Sequence, residues 1–268
     1  MTTASDDHRI GEVVSARGRN ATVNCKTNGR VALVTGGTQG IGSAISTRLA
    51  GLGATVLAVY RSNSAVAAAF EAETSVSTLQ ADIGESDSCE ELVEHVVSRY
   101  GRIDLLVNNA GLLLERAATD TSVTEWDQIV SVNLAGPFHL SRLAVPHMRR
   151  QRFGRIVNVS SVTAVMGSPS EAAYGAAKAG LLGLTRSLAR ETARDGITVN
   201  CVIPGVFETP MTASMPERTQ AAIVRMIPVG RHGRPEELAR MVTFLLDDDA
   251  GYITGANFTV DGGLSMGG

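Results

Sequence analysis

The sequence predicts a single α/β domain, a Rossmann-type doubly wound parallel sheet of about seven strands with helices on both faces. Short β-branched runs such as Val31–Thr35 are almost entirely apolar, as buried parallel strands are. Helical segments separate these runs, and such alternation gives right-handed crossovers and a parallel sheet. The chain has 268 residues and 44% hydrophobic content, which suits one domain with a substantial core.

In the first half of the chain, strands and helices alternate from residue 31. We predict strands at residues 31–35, 54–60, 76–81 and 104–108, and helices at residues 42–53, 65–73 and 86–100. Ligands bind at the carboxyl ends of the strands in such sheets. The loops that follow these strands are therefore the places to look for a site.

The second half begins with a long helix. A capping box of Ser122 and Glu125 opens it, and it runs through Asn133 towards His147. A strand in GRIVNVSSV, a helix in EAAYGAAKAGLLGLTRSLARETARDG and a strand in ITVNCVIP follow. Residues 207–228 mix flexible methionines with charged residues, which suits a mobile lid over a substrate.

The first 29 residues are polar and show neither an apolar signal core nor a helical stripe. We predict that residues 1–29 form a flexible extension and that residues 30–268 form the domain. No run of about 18 apolar residues occurs, so no membrane segment is expected. A net charge of −3 gives no reason to expect nucleic acid as a partner.

Three cysteines stand far apart in the chain and have no metal-ligand spacing. This usage indicates a reducing cytoplasm and predicts neither a disulfide scaffold nor a metal site. We expect Cys201 to be a buried strand residue.

A glycine-rich turn, TGGTQGIG, stands between the first strand and the first helix. Gly36, Gly40 and Gly42 would allow a tight turn and let backbone N–H groups approach a pyrophosphate at the helix N-terminus. Because the turn follows a strand and opens a helix, it predicts a dinucleotide site.

The end of the second strand indicates which dinucleotide binds. A carboxylate there would hold the ribose 2′-hydroxyl of NAD, but this chain has Arg61 and Ser62. A guanidinium suits a 2′-phosphate, so NADPH is favoured and NADH remains possible. The alternative is that Arg61 is only a solvated loop residue.

The candidate catalytic groups lie in the second half of the chain. Tyr174 and Lys178 are four residues apart on one helix face, where an ammonium could lower the pKa of the phenol. Such a tyrosine can exchange a proton with an alcohol oxygen. Ser161 closes the preceding strand at the same edge of the sheet. Asn133, in an apolar setting, would satisfy a helix kink beside Gly136, hold a water near this pair, or do both.

Together these motifs resemble the short-chain dehydrogenase/reductase family, from about residue 31 to the end of the chain. The likeness is carried by TGGTQGIG, NNAG at residues 108–111, Asn133, Ser161, YGAAK at residues 174–178 and PGVFET at residues 204–209. Within the family the chain looks most like 3-oxoacyl-[acyl-carrier-protein] reductases and polyketide ketoreductases, notably in RHGRPEELARMVTFLLDDDAGYITGANFTVDGG.

The resemblance implies a role for each matching residue. Tyr174 would donate the proton, Lys178 would lower its pKa and hold the nicotinamide ribose, Ser161 would bind the carbonyl, and Asn133 would anchor a water. The implied dinucleotide contacts, besides Tyr174 and Lys178, are Gly36, Thr38, Gln39, Gly40, Ile41, Gly42, Arg61, Ser62, Asp82, Ile83, Asn109, Ala110, Gly111, Pro204, Gly205, Val206 and Thr209. Many NADP-dependent members have a basic residue at the position of Gln39, so the 2′-phosphate would rest on Arg61 and Ser62.

The function that the resemblance implies is NADPH-dependent reduction of a ketone, most closely a 3-oxoacyl thioester or polyketide, by a cytoplasmic homotetramer. One alternative is a dehydrogenase of another secondary alcohol, such as a sugar, a steroid or a small alcohol. Another is a non-catalytic dinucleotide sensor, against which the intact catalytic set speaks. An enoyl reductase is disfavoured because those relatives space the tyrosine and lysine more widely.

A carrier-protein partner would be acidic. Arg149, Arg150, Arg152 and Arg155 could steer such a partner, or they could simply be a solvated helix end.

Overall fold

A computed structural model of the protein describes residues 27–266. The strands are β1 (Val31–Thr35), β2 (Thr55–Tyr60), β3 (Ser77–Gln80), β4 (Leu105–Asn108), β5 (Gly154–Val159), β6 (Ile197–Pro204) and β7 (Asn257–Val260). They form one seven-stranded sheet of order β3-β2-β1-β4-β5-β6-β7, in which every pairing is parallel. The predicted fold class is confirmed.

Helices cover both faces of this sheet. They are α1 (Gly40–Gly51), α2 (Ser64–Thr74), α3 (Ser86–Tyr100), α4 (Val123–Val130), α5 (Gly136–Arg150), α6 (Thr163–Met166), α7 (Ala172–Thr192), α8 (Pro210–Ala213), α9 (Glu217–Met226) and α10 (Pro235–Leu245). Apolar residues of α3, α5 and α7 pack on one face, and those of α1, α2 and α10 pack on the other.

The sheet interior explains the β-branched runs. Every residue of β1, β4, β5 and β6 is buried, because helices lie above and below these strands. β1 and β4 are neighbours in the sheet. From β1 the chain adds strands towards one edge, as far as β3, and from β4 it adds strands towards the other edge, as far as β7. Their carboxyl ends therefore border the crevice where a doubly wound sheet binds ligands.

The predicted long helix is interrupted. It begins with the capping box of Ser122 and Glu125, but a π-helical turn at Ser131–Ala135 separates α4 from α5. The amide N–H of Asn133 donates to the Ile129 carbonyl four residues earlier, at 2.9 Å. The Asn133 side chain thereby occupies a carbonyl that would otherwise accept a backbone N–H of the helix. Such π-helical turns often mark functional sites. The expected kink is thus a change of helix type that lies just before Gly136.

The predicted basic cluster is divided, because Arg149, Arg150 and Arg152 are exposed whereas Arg155 is not. Arg155 is buried, and its guanidinium donates to the Asp247 carbonyl at 3.1 Å and lies over the Phe153 ring. Arg149 is paired with Asp195 at 2.8 Å. Burial lowers the pKa of Arg155, as desolvation of a cation does. Because Arg155 is buried, the idea that it steers a partner is wrong. Steering by the three exposed arginines stays a prediction.

The predicted extension at residues 1–29 falls largely outside the described residues, which begin at Thr27. From there the chain enters β1 through a turn in which the Gly29 N–H donates to the Gly53 carbonyl at 3.0 Å. The predicted boundary between extension and domain stays a prediction. Between residues 27 and 266, no helix combines the length and apolarity needed to cross a bilayer.

Candidate active site

A cavity of about 450 Å³ lies at the carboxyl ends of the strands, beside β1 and β4. Its size suits a cofactor or substrate site. All of the predicted site residues line it except Asn133, which lies behind it and is fully buried. The structure therefore brings the glycine turn and the candidate catalytic groups into one space.

The glycine turn packs tightly at the N-terminus of α1 and has no space for a side chain at Gly42. Gly36 has a φ of +60°, and a Cβ on Gly42 would overlap the Gly36 carbonyl oxygen and lie 2.6 Å from the Asn109 amide nitrogen. No side chain caps α1, and its first turn carries no acidic residue. Exposed N–H groups and the helix dipole favour an anion here, so the residues present fit a pyrophosphate.

The NNAG segment after β4 fixes the shape of that turn. The amide of Asn109 donates to the carbonyls of Thr35 and Gly36 at 3.0 and 3.2 Å. The Thr35 hydroxyl in turn accepts the N–H groups of Asn109 and Ala110, each at 3.0 Å. Asn109 therefore holds the glycine turn against β4 as well as lining the cavity.

Arg61 and Ser62 lie at one end of the cavity, at the end of β2, where the sequence predicts the 2′-phosphate. The Arg61 side chain is exposed and forms no ion pair with any residue between 27 and 266, so its charge is available to a ligand. Asp82 borders the same end, and its carboxylate accepts the Gly84 N–H at 2.9 Å. This bond orders the loop around Ile83 after β3.

Tyr174 and Ser161 both line the other end of the cavity. Burial raises the pKa of Tyr174 to about 12, the Ser161 hydroxyl opposes this rise, and the nearby Glu171 charge adds to it. This direction is opposite to the one that the sequence suggests. Within the protein's own contacts, the phenol is therefore held in its protonated form.

Lys178 lies beneath Tyr174 on α7. Its ammonium donates to the Val159 carbonyl at 2.9 Å and is 5.8 Å from the centre of the Tyr174 ring. Burial lowers the pKa of Lys178 to about 8. The ammonium is directed at the strand end, so its effect on Tyr174 is not the dominant one that the sequence suggests.

Asn133 connects the π-turn to the loop after β4. Its amide N–H groups donate to the carbonyls of Ile129 and Leu112, and its oxygen accepts the Leu112 N–H at 3.2 Å. Since both N–H groups are used, a water could be held only through oxygen atoms of Asn133. A Cβ on Gly111 would lie 3.1 Å from the Asn133 amide oxygen and 3.5 Å from the Lys178 nitrogen. Asn133 and Lys178 thus flank the same glycine.

The PGVFET segment forms the wall opposite the glycine turn. Thr209 lies over Gly40, since a Cβ there would be 3.3 Å from its methyl group. Phe207, Met211 and Met215 also line the cavity, whereas no residue of α9 does. Of the predicted lid at residues 207–228, the first part therefore faces the cavity, and its closure stays a prediction.

The sequence did not single out Glu171 and Thr163. Both line the cavity, and the Thr163 hydroxyl donates to the Glu171 carboxylate at 2.9 Å. The sequence spacing could have pointed to Glu171, because it precedes Tyr174 by three residues at the start of α7 and residues three apart on a helix are neighbours.

Two further expectations concern cysteine and metal. Cys89 and Cys201 are buried, and burial raises the pKa of each thiol to about 11, so both are unreactive packing residues. Cys201 is the buried strand residue that the sequence predicts. Cys25 lies outside the described residues. In the described part of the chain, no group of three or more His, Cys, Asp or Glu side chains is arranged to hold a metal ion.

Comparison with known proteins finds relatives that match most of the chain. A short-chain dehydrogenase family model, described as "Enoyl-(Acyl carrier protein) reductase", matches residues 36–265. The 3-oxoacyl-[acyl-carrier-protein] reductase FabG of Thermotoga maritima is 42% identical over 243 residues, which cover 89% of this chain and 99% of that protein.

Two other relatives match almost as much of the chain. The acetoacetyl-CoA reductase of Shinella zoogloeoides is 43% identical over 87% of this chain and 98% of its own length. The FabG of Escherichia coli is 41% identical over 89% of this chain and 98% of its own length.

Proposed function

Because the chain belongs to the short-chain dehydrogenase/reductase family, we propose that it uses NADPH to reduce the ketone of a 3-oxoacyl thioester to a secondary alcohol. One observation carries the proposal: a single cavity joins the glycine turn to Ser161, Tyr174 and Lys178. The relatives named as 3-oxoacyl and acetoacetyl-CoA reductases support the thioester as substrate.

The mechanism divides the work among these groups. A dinucleotide bound along the glycine turn would supply a hydride to the ketone carbon. The Ser161 hydroxyl would donate a hydrogen bond to the ketone oxygen, which stabilises the negative charge that develops there. Tyr174 would then give that oxygen its proton. Its raised pKa of about 12 keeps the proton on the phenol until an oxyanion, a much stronger base, is next to it.

Lys178 and Asn133 would return the proton to Tyr174. They flank Gly111 below the phenol, where a water bound to an oxygen of Asn133 could pass a proton to the lysine. The buried Lys178 ammonium would also bind ribose hydroxyl groups and hold the nicotinamide end in place.

A substrate panel tests the thioester proposal. Initial rates of NADPH oxidation would be compared for acetoacetyl-CoA, crotonyl-CoA, a keto sugar and a ketosteroid. We expect acetoacetyl-CoA to be reduced most efficiently. Faster turnover of crotonyl-CoA would favour enoyl reduction, and faster turnover of a sugar or steroid would favour another secondary-alcohol dehydrogenase.

We predict that Arg61 determines the preference for NADPH over NADH. Arg61→Ala should lower kcat/KM for NADPH by about ten- to one-hundred-fold, because a hydrogen bond to a charged group is worth about 1.5–3 kcal/mol. The same change should leave kcat/KM for NADH nearly constant, since NADH has no 2′-phosphate. Arg99→Ala, an exposed change on α3, serves as the control. An equal loss with both dinucleotides would contradict this role.

The pKa of Lys178 predicts how the reaction depends on pH. The ammonium is charged below its pKa of about 8 and loses its proton above that value. We therefore expect kcat/KM for NADPH, which reports the free enzyme, to fall as pH rises through about 8. A profile measured between about pH 6 and 10 checks this, with circular dichroism at each pH to exclude unfolding. A flat profile up to about pH 9.5 would show that the charge on Lys178 is not needed.

The homotetramer and the carrier-protein substrate are further proposals. Trp126 on α4 and Phe138 on α5 are exposed large apolar side chains, which supports a subunit interface on these helices.

A further inference from the structure

We propose that Glu171 selects substrate by charge: its carboxylate, beside Ser161 and Tyr174 in one cavity, admits ketones that are neutral near the carbonyl and rejects free 3-oxoacids. This inference rests on the proposed ketone reduction and narrows its substrate class. It concerns a group that the mechanism above does not use.

The position of Glu171 is fixed on two sides. It is the N-cap residue of α7, where its carbonyl accepts the Gly175 N–H at 2.8 Å, and its carboxylate does not cap the helix. The carboxylate instead accepts the Thr163 hydroxyl at 2.9 Å, and the Thr163 N–H donates to the Ser161 hydroxyl oxygen at 3.2 Å. Thr163 thus connects the Glu171 carboxylate to Ser161, whose hydroxyl would bind the ketone oxygen.

In the part of the chain that the structure describes, the Glu171 carboxylate has no cation paired with it. Within residues 27–266, Glu171 has no arginine, lysine or histidine nitrogen within ion-pairing distance. Arg116, whose backbone N–H donates to the Ser170 carbonyl at 2.7 Å, directs its guanidinium to Glu125 at 3.1 Å. The Lys178 ammonium donates to the Val159 carbonyl. The helix N-terminus favours a negative charge at this position.

The charge of Glu171 acts on the catalytic group. After burial, it is one of the causes that raise the pKa of Tyr174, which means that its field opposes negative charge at the phenol oxygen. A second anion next to the reacting carbonyl would meet the same field. It would also share a partly enclosed cavity, where charges are screened less than in water.

Substrate chemistry turns this field into a selection. A free 3-oxoacid has its carboxylate one carbon away from the ketone, so binding the ketone at Ser161 and Tyr174 places two negative charges in one small cavity. A thioester or ester replaces that carboxylate by a neutral carbonyl. A carrier-linked or CoA-linked substrate has its phosphates at the far end of a long arm. Two carboxylates roughly 6 Å apart, at an effective dielectric constant of about 20, repel each other enough to lower the affinity for the free 3-oxoacid on the order of a hundred-fold. Screening by solvent and salt reduces this loss to about ten-fold.

Acetoacetate and methyl acetoacetate test the inference, because they share a carbon skeleton and differ in charge. We expect wild type to prefer the ester and Glu171→Gln to reduce that preference in kcat/KM by about ten-fold, through a lower KM for acetoacetate. Thr163→Val is the matched control, since it removes the hydrogen bond to Glu171 but keeps the charge, and it should change the preference much less than Glu171→Gln does. An unchanged preference in Glu171→Gln, or an equal change in both variants, would overturn charge selection.

Wild type alone provides a second readout. Raising NaCl from about 20 to 500 mM should lower KM for acetoacetate and leave KM for methyl acetoacetate constant, because salt screens the repulsion. Equal salt effects on the two substrates would count against Glu171. If methyl acetoacetate is reduced but neither Glu171→Gln nor salt changes the preference between the two substrates, only this inference is overturned. Failure to reduce acetoacetyl-CoA or either small ketone would overturn the proposed function as well.

Discussion

Tyr174→Phe is expected to lower kcat for ketone reduction by about a hundred- to ten-thousand-fold, the usual contribution of a positioned general acid. The change removes one hydroxyl and leaves the ring that packs above Lys178. Ser161 would still bind the ketone oxygen, but the oxyanion would have to take its proton from water. Because the phenol keeps its proton up to a pKa of about 12, wild-type Tyr174 carries the proton to be donated at neutral pH.

Two measurements separate this role from a structural one. The dissociation constant of NADPH, from fluorescence titration, should change by less than about two-fold, since the glycine turn is untouched. Tyr100→Phe, at the end of α3 and far from the cavity, should behave like wild type. A Tyr174→Phe enzyme that retains more than about a tenth of the wild-type kcat would exclude the phenol as proton donor.

Gly42→Ala is expected to abolish most dinucleotide binding. The added methyl group would overlap the Gly36 carbonyl oxygen and press on the Asn109 amide, so the backbone of the turn must move. A strained core contact of this kind costs about 1–3 kcal/mol of folding stability. A turn displaced from its N–H geometry should lose at least about ten-fold in NADPH affinity, since these N–H groups would hold the pyrophosphate.

The same helix supplies a matched control for Gly42→Ala. A Cβ on Gly51, at the other end of α1, would meet no atom within 4 Å. Gly51→Ala should therefore raise the free energy of unfolding by about 0.5–1 kcal/mol and leave NADPH affinity constant. Urea unfolding and fluorescence titration check both variants. Wild-type affinity in Gly42→Ala would show that the dinucleotide does not lie on this turn.

The parts of the fold that the sequence predicts are those with a strong local pattern. The buried runs of β1, β5 and β6 are mostly apolar and β-branched, so their place inside a parallel sheet is evident from composition. The turn at Gly36 is predictable for a similar reason, because only glycine readily adopts its positive φ next to a helix N-terminus.

The remaining features depend on contacts between distant segments. Asn133 stands in a helical pattern, which shows neither the π-turn of the backbone nor the side-chain bonds to Leu112 and Ile129. The spacing of Tyr174 and Lys178 predicts an ammonium beside a phenol. It could not show that the Val159 carbonyl binds the ammonium, or that burial dominates both pKa values. Arg155 belongs to a basic run in sequence, but its side chain is buried with the guanidinium over the Phe153 ring.

The central claim is hydride transfer from the dinucleotide to the ketone carbon of a thioester in this cavity. Acetoacetyl-CoA would be incubated with the enzyme and NADPH deuterated at both hydrogens of nicotinamide C4, and the product analysed by mass spectrometry and NMR. We predict 3-hydroxybutyryl-CoA with one deuterium at C3, and almost none with Tyr174→Phe. Oxidation of NADPH without deuterium at C3 of the product, or no reaction of a protein that binds NADPH, would contradict the account.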